Sequence, residues 1–446
     1  MDTTVNRLTA DDDLFLKLHS LYPDALVNQL AWRFAEPLPR AVLDRFHAHL
    51  AAGFLGRKVV RARVPLARPY WVPSTEAFPL HWDPQPVTDV VEWFSDRAHV
   101  SFDPARGLVW RLAASPTADG GTVVSLATSH VASDGGAVLF AVGDALERLT
   151  AGTAPARAGS SGALVGAAPA RPVRADLADA ASQGRAVVRG VRAAVAARAV
   201  SEPTRHDRRA ADPVASGPEW TPSDVIVQCE LDQWRKVAAE HGGTVNGLLV
   251  ALGAGLFGRS GRLADGAELR VDIPNSRRED GDPRANATTG LPIAVRYTAD
   301  SPIDLAAVRA SIKRAALAYG DPATTPPLQH LQPVQMILPR AVLHRFARTA
   351  KAPECLCTNL GESAAGVADF AGRRAAAVLM RPVITTNETD LFRRVEVGVN
   401  LSFCTDGELV TLAVTGADPD RFPTRAALRA AVTTEFAVWG LDPIFW

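Results

Sequence analysis

Ser129-His130-Val131-Ala132-Ser133-Asp134-Gly135-Gly136 is the stretch on which the reading of this chain turns. Upstream runs Thr122-Val123-Val124-Ser125-Leu126-Ala127, apolar and rich in β-formers, which predicts a strand. Downstream, Ala137 to Leu149 carries apolar residues at helical spacing. The histidine therefore sits where a strand ends and a helix soon begins. Asp134 follows four residues on, beside two glycines that let the backbone turn sharply. A histidine at such a junction, with a carboxylate close by, suits a general base, because neutral imidazole accepts a proton near neutral pH. Taken alone, the pattern reads first as a solvated histidine in a turn, and the rest of the chain shifts that balance.

At 446 residues the chain is long enough for two domains, each with its own core. Its formal net charge is zero, so no global basic field draws in nucleic acid or an anionic membrane surface. No run reaches the roughly 18 apolar residues of a membrane span. Met1 to Arg7, followed by Asp11-Asp12-Asp13, lacks the charged-then-apolar plan of a secretory signal, and the expectation is a cytoplasmic protein. Cys229, Cys355, Cys357 and Cys404 do not make a disulfide framework in a chain of this size. Cys355-Leu356-Cys357 has no second pair nearby, and in an extended segment both side chains point the same way. They read as small buried residues, with a metal or redox pair as the lesser alternative, and no metal is expected.

Working outward, Leu8–Leu16 reads as an entry segment in which Thr9 and the aspartates after it offer helix caps before apolar residues, Ala31–Phe34 reads as a strand, and Pro39–Leu50 as a helix. Leu108–Leu112 is a strand that pairs with Thr122–Thr128 across Asp119-Gly120-Gly121. Composition changes at residue 151. From there to 218 the chain is rich in Ala, Gly, Pro and Arg and reads as a linker or crossover. Within it Ala186–Val200 has helical character and a basic face from Arg189, Arg192 and Arg198. That face reads as solvated, or else as a docking surface for an acidic carrier protein or a lipid headgroup. The second half opens with a strand at Val225–Leu231 and a helix at Trp234–His241. An apolar helix over Gly247–Phe257 follows, capped by Thr244 or Asn246. Strands are expected at Arg270–Pro274, ended by the proline, and at Leu291–Tyr297, with helices at Asp304–Tyr319 and Arg340–Ala350. Val395–Phe403 and Glu408–Thr415 form a hairpin, and Arg425–Phe436 is a final helix. The division is thus 1–150, a crossover at 151–218, and 219–446. His81, His99, His330 and His344 lack acidic or glycine-rich neighbours and rank below His130.

His130-Val131-Ala132-Ser133-Asp134-Gly135 resembles the His-His-x-x-x-Asp-Gly signature of the condensation-domain and CoA-dependent acyltransferase superfamily, with Ser129 in place of its first histidine. Other segments follow in the superfamily's order. Leu8–Leu16 and Ala67-Arg68-Pro69-Tyr70-Trp71-Val72 look like segments of bacterial wax ester synthase/diacylglycerol acyltransferase proteins. Leu108-Val109-Trp110-Arg111 is similar to a Pro-Leu-Trp-Arg strand, and Gly243-Thr244-Val245-Asn246 to an Ala-Thr-Val-Asn helix opening. Ile273-Pro274-Asn275-Ser276-Arg277-Arg278 matches Pro-x-x-x-Arg, and Cys357-Thr358-Asn359-Leu360-Gly361 a Ser-Asn-x-Gly loop. No Asp-Phe-Gly-Trp-Gly segment is present; Asp369-Phe370-Ala371-Gly372 is a faint echo that reads as a turn.

The resemblance implies an α/β fold of two chloramphenicol-acetyltransferase-like domains, a V-shaped pseudo-dimer around a central tunnel with His130 near its middle. It implies an acyltransferase that moves an acyl group from a thioester donor to an acceptor hydroxyl. His130 is the general base, and acyl-CoA or acyl-phosphopantetheine is a co-substrate rather than a bound cofactor. The expected partners are that donor, on CoA or an acyl carrier protein, and a small-molecule or lipid alcohol or amine. Asp134 is expected to pair with Arg278 and shape the loop. Gly135 and Gly136 are expected to permit the turn, and their N–H groups to meet the oxyanion. Ser129, Gly136 and Asn359 are assigned to the substrate side, with a structural turn equally open for Asn359. Two alternatives stand beside this: a stand-alone condensation enzyme making an amide or ester in natural-product assembly, and a non-catalytic or isomerase member of the fold.

Overall fold

The computed structural model describes residues 5–22, 26–156, 165–196, 217, 219–279, 281–320, 327–339, 342, 345 and 351–446. The first helix begins where its caps predict. The Thr9 hydroxyl accepts from the Asp12 N–H and the Asp12 carboxylate accepts from the Thr9 N–H, a reciprocal cap. Helix α1 then runs Ala10–Leu21. The other α-helices of the described residues are α2 (Arg40–Ala52), α3 (Val90–Ala98), α4 (Gly135–Thr150), α5 (Pro172–Ala196), α6 (Leu231–Glu240), α7 (Val245–Phe257), α8 (Leu305–Gly320), α9 (Pro327–His330), α10 (Gln332–Ile337), α11 (Thr389–Val395) and α12 (Arg425–Val438). In the first half the strands are β1 (Leu26–Phe34), β2 (Arg57–Val60), β3 (Tyr70–Pro73), β4 (His81–Trp82), β5 (Trp110–Pro116) and β6 (Thr122–Ser129). The second half supplies β7 (Ser223–Glu230), β8 (Glu268–Ser276), β9 (Thr288–Arg296), β10 (Cys355–Gly361), β11 (Ala377–Ile384), β12 (Val399–Thr405), β13 (Leu409–Gly416) and β14 (Ile444–Phe445).

Two sheets carry the fold. The five-stranded sheet has the order β11-β1-β6-β5-β4, and the seven-stranded one β14-β7-β13-β12-β10-β8-β9; β2 and β3 form a separate hairpin. The expected β5–β6 hairpin is in register Trp110↔Thr128 to Pro116↔Thr122. Strand β11 comes from the second half yet pairs with β1 along its length, Leu26↔Ile384 to Arg33↔Ala377. The crossover goes deeper than the ladder. Phe370 lies among Trp32, Phe34 and Phe46, and the Trp32 indole N–H donates to the Val367 carbonyl at 2.7 Å. Asp369-Phe370-Ala371-Gly372 is therefore a turn whose Phe seals the first core.

Several expectations need correcting. The stretch read as a linker contains α5, a 25-residue helix that starts well before Ala186; its weak apolar content hid it. Arg198 and most of 340–350 lie outside the described residues. Pro274 does not end its strand. Strand β10 pairs with β8 only at Val271 and Asp272, so Pro274 sits where that side of β8 has no ladder to break, and β8 continues to Ser276. Helix α11 precedes the β12–β13 hairpin where a continuous strand was expected from Val395. His81 does have an acidic neighbour, with Nε2 2.8 Å from Asp83 Oδ1.

Candidate functional site

Strand β6 ends at Ser129, and the next residue is His130. The Ser129 N–H donates to the Val109 carbonyl, and its own carbonyl accepts from Ala132 N–H at 2.9 Å, a tight turn that swings the histidine off the sheet end. One face of the imidazole is covered by Phe15 of α1, stacked at 3.8 Å between ring centres. Nδ1 lies 3.1 Å from Asn286 Oδ1. The direction of that hydrogen bond follows from the other end of the amide. Asn286 Nδ2 donates to Asp12 Oδ1 at 3.0 Å and to the His130 carbonyl at 3.1 Å. Asp12 Oδ1 also accepts from the Asn286 backbone N–H at 2.8 Å. With Nδ2 committed to two acceptors, Oδ1 faces the ring and accepts from Nδ1–H. The lone pair of the neutral ring then lies on Nε2. Burial pulls the His130 pKa below its ordinary 6.5, against the upward pull of its own backbone carbonyl and of Asp134 and Asn286. The ring is neutral at physiological pH, the state a base requires.

Asp134 stands on the other side of the loop and does three things. Oδ1 accepts from the Ala137 N–H and caps α4. Arg278 Nη2 donates to the same oxygen at 2.9 Å, with both side chains almost wholly buried. Oδ2 accepts from the Ala287 N–H at 2.6 Å and the Thr288 hydroxyl at 2.9 Å. Arg278 in turn donates to the carbonyls of Asp282, Arg284 and Ala285. The loop before α4 and the loop before β9 are thus bolted together. Arg57, fully buried, adds a second bolt by donating to the Ala132 and Pro283 carbonyls. Its guanidinium lies over the Phe54 ring at 3.8 Å and the Trp71 ring at 4.5 Å. Burial pulls its pKa down to about 9, while Asp12 and Asp134 push it back up.

Gly135 and Gly136 are the first two residues of α4 and neither has a positive φ. What restricts them is space: a Cβ on Gly136 would lie 3.2 Å from Arg278 Nε. Ser129 and His130 line a cavity of about 70 Å³ with Phe15, Leu18, Tyr22 and Leu26. A larger cleft of about 760 Å³ opens between the halves, bordered by Asp96, His99, Trp220, Asp224, Ile384 and Arg425. Both reach the same end of the five-stranded sheet, where Leu26 of the cavity pairs with Ile384 of the cleft. Asn359 is held at the end of β10: its amide donates to Asn246 Oδ1 at 3.2 Å and its Oδ1 accepts from the Gly361 N–H, while the next residue, Leu360, lies 3.6 Å from where a Cβ on Gly135 would sit. Cys355 and Cys357 are buried on one side of β10 with their sulfurs 3.8 Å apart.

Sequence reasoning missed Asp12, Phe15, Arg57 and Asn286. Asn286 belongs to Asn286-Ala287-Thr288-Thr289-Gly290, just downstream of Arg278, and the only signal was that proximity. Asp12 was noticed as a helix cap; that its second oxygen reaches the far half is a tertiary fact.

No family model matches the chain, and no curated protein matches it. Solved structures do. The first condensation domain of the CDA synthetase aligns over 100% of both chains at 14% identity with a TM-score of 0.59. The condensation domain of the monacolin K polyketide synthase MokA aligns over 98% of this chain and 96% of its own, at 14% identity and 0.58. The starter condensation domain of rhizomide synthetase, crystallised as a mutant with C8-CoA and Leu-SNAC, aligns over 98% and 95%, at 12% and 0.58. The chain therefore has the fold of these condensation domains, a mixed α/β architecture built on two sheets within one chain.

Proposed function

We propose that the chain is an acyltransferase that moves an acyl group from a thioester, on CoA or a carrier protein, to an acceptor hydroxyl, with His130 as the base. The observation that carries this reading is the contact between His130 Nδ1 and Asn286 Oδ1, with the Asn286 amide held by Asp12, from which it follows that the lone pair of the neutral ring lies on Nε2. The acceptor O–H gives its proton to Nε2 as its oxygen bonds to the thioester carbonyl carbon. The carbonyl electrons move onto oxygen, and the N–H groups of Gly135 and Gly136 at the start of α4 stand as its donors. When the carbonyl re-forms, the C–S bond breaks and the leaving thiolate takes the proton back from the imidazolium. A base of this kind is worth about 10²–10⁴-fold. Asp134 and Arg278 hold the loop and stay outside the proton path.

A second reading, condensation with an amine to give an amide, is favoured by the fold neighbour crystallised with both C8-CoA and Leu-SNAC. Acyl-CoA and acyl-carrier donors tested against alcohols and amines, with thiol release and product mass followed together, separate the two. Ester product supports the first reading and amide product the second. Tight donor binding without turnover would leave a non-catalytic member of the fold.

A further inference from the structure

Helix α5 turns its acidic residues inward: Asp176 accepts from Arg7 Nη2 at 2.7 Å and from the Arg63 N–H, and Asp179 binds Arg68 at 2.7 Å. Both carboxylates are buried. Further along, Gly190 lets the helix press against α9; a Cβ there would lie 2.3 Å from the His330 carbonyl oxygen. The apolar residues face out. Val173, Leu177, Val188, Val191 and Val195 are between 42% and 84% exposed. At about 100° per residue they fall within a sector about 60° wide. Beside that stripe, in the adjoining sector, run Arg174, Arg185, Arg189 and Arg192, all exposed and without an ion pair among the described residues. The helix contains no acidic residue other than the two that anchor it.

We propose that this face is a membrane-docking surface that lies flat on an anionic lipid bilayer. The arrangement is that of an interfacial helix, with an aliphatic stripe to enter the headgroup boundary and a flanking row of arginines for lipid phosphates. The 25 residues give a ridge about 37 Å long at 1.5 Å per residue. A ridge of valines without an aromatic anchor suits a diffuse surface better than a protein pocket. The chain's zero net charge does not oppose this, since the arginines act locally and at short range. On its inner side α5 packs against α9 and α10, and α10 against α1, which carries Phe15 onto His130. The docked face would therefore lie two packed elements from the base, suited to an acceptor delivered from the bilayer.

The test is co-sedimentation of the full chain with vesicles of phosphatidylcholine alone or mixed with phosphatidylglycerol. The variants are the triple Arg185→Glu/Arg189→Glu/Arg192→Glu and the double Val188→Asp/Val191→Asp. All five positions are exposed, and unchanged circular dichroism confirms folding. The expected result is binding to the phosphatidylglycerol vesicles that high salt weakens, with each variant binding roughly tenfold or more weakly. Absence of binding by the wild type, or binding that both variants retain, would overturn the proposal. So would capture of an acidic acyl carrier protein that the arginine variant loses while vesicles never bind. Because the readout is binding, it stands apart from whether His130 is a base.

Discussion

His130 owes its tautomer to an amide that is itself held by a carboxylate, and the first predictions follow from that chain of contacts. Because burial lowers the His130 pKa, activity as kcat/KM is expected to stay level down to the ordinary 6.5 and to fall only in more acid solution. Replacing Asn286 by Asp sets a carboxylate against Nδ1–H and favours the imidazolium, so the acid limb should move to higher pH. A limb that does not move would mean that the group titrating in kcat/KM is not His130. The same sign governs stability. A histidine with a depressed folded pKa stabilises fully above its unfolded value, and that contribution is lost as pH falls through the folded one. Asp134 belongs to stability first. Asp134→Ala strands the buried Arg278 and uncaps α4, and a loss of about 3–5 kcal/mol is expected in denaturant titration. His130, Asp134 and Arg278 were legible in the sequence because spacing and resemblance marked them. Asn286 and Arg57 were not, because a single side chain crossing between loops leaves no periodic trace.

At the scale of elements, α1 is both a capped helix and one wall of the site. Thr9→Ala removes only the cap and should cost about 1 kcal/mol in thermal or chemical melts. Asp12→Ala removes the same cap box and also frees the Asn286 amide, so it should lower kcat by about 10²-fold while Thr9→Ala leaves kcat near wild type. Equal effects on kcat would reduce Asp12 to a cap. The strands and helices that the sequence declared were those with strong patterns: the alternation of β5 and β6 around a glycine turn, and the Thr244 cap before the uniformly apolar α7. Helix α5 was half-hidden because its buried face is polar and its apolar residues are solvent-facing, which inverts the usual signal.

The molecule as a whole is two sheets that share one chain segment. Residues 367–384 leave the second half, put Phe370 into the first core and lay β11 on β1. A fragment ending at residue 218 would expose the edge of β1 and lose the cover of Trp32. It is expected to be insoluble alone and to be rescued by co-expression with 219–446, which solubility and co-purification would reveal. A fragment that folds alone would show the crossover to be dispensable. Sequence reading divided the chain at composition breaks and had no means of seeing this exchange, since strand pairing across so long a separation is set by tertiary packing.

The central claim is that His130 takes the acceptor's proton. Thiol release from a turned-over thioester donor, compared between wild type and a folded His130→Ala variant, tests it most directly. The account predicts a fall of about 10²–10⁴-fold in kcat. Equal rates in the two proteins would contradict it.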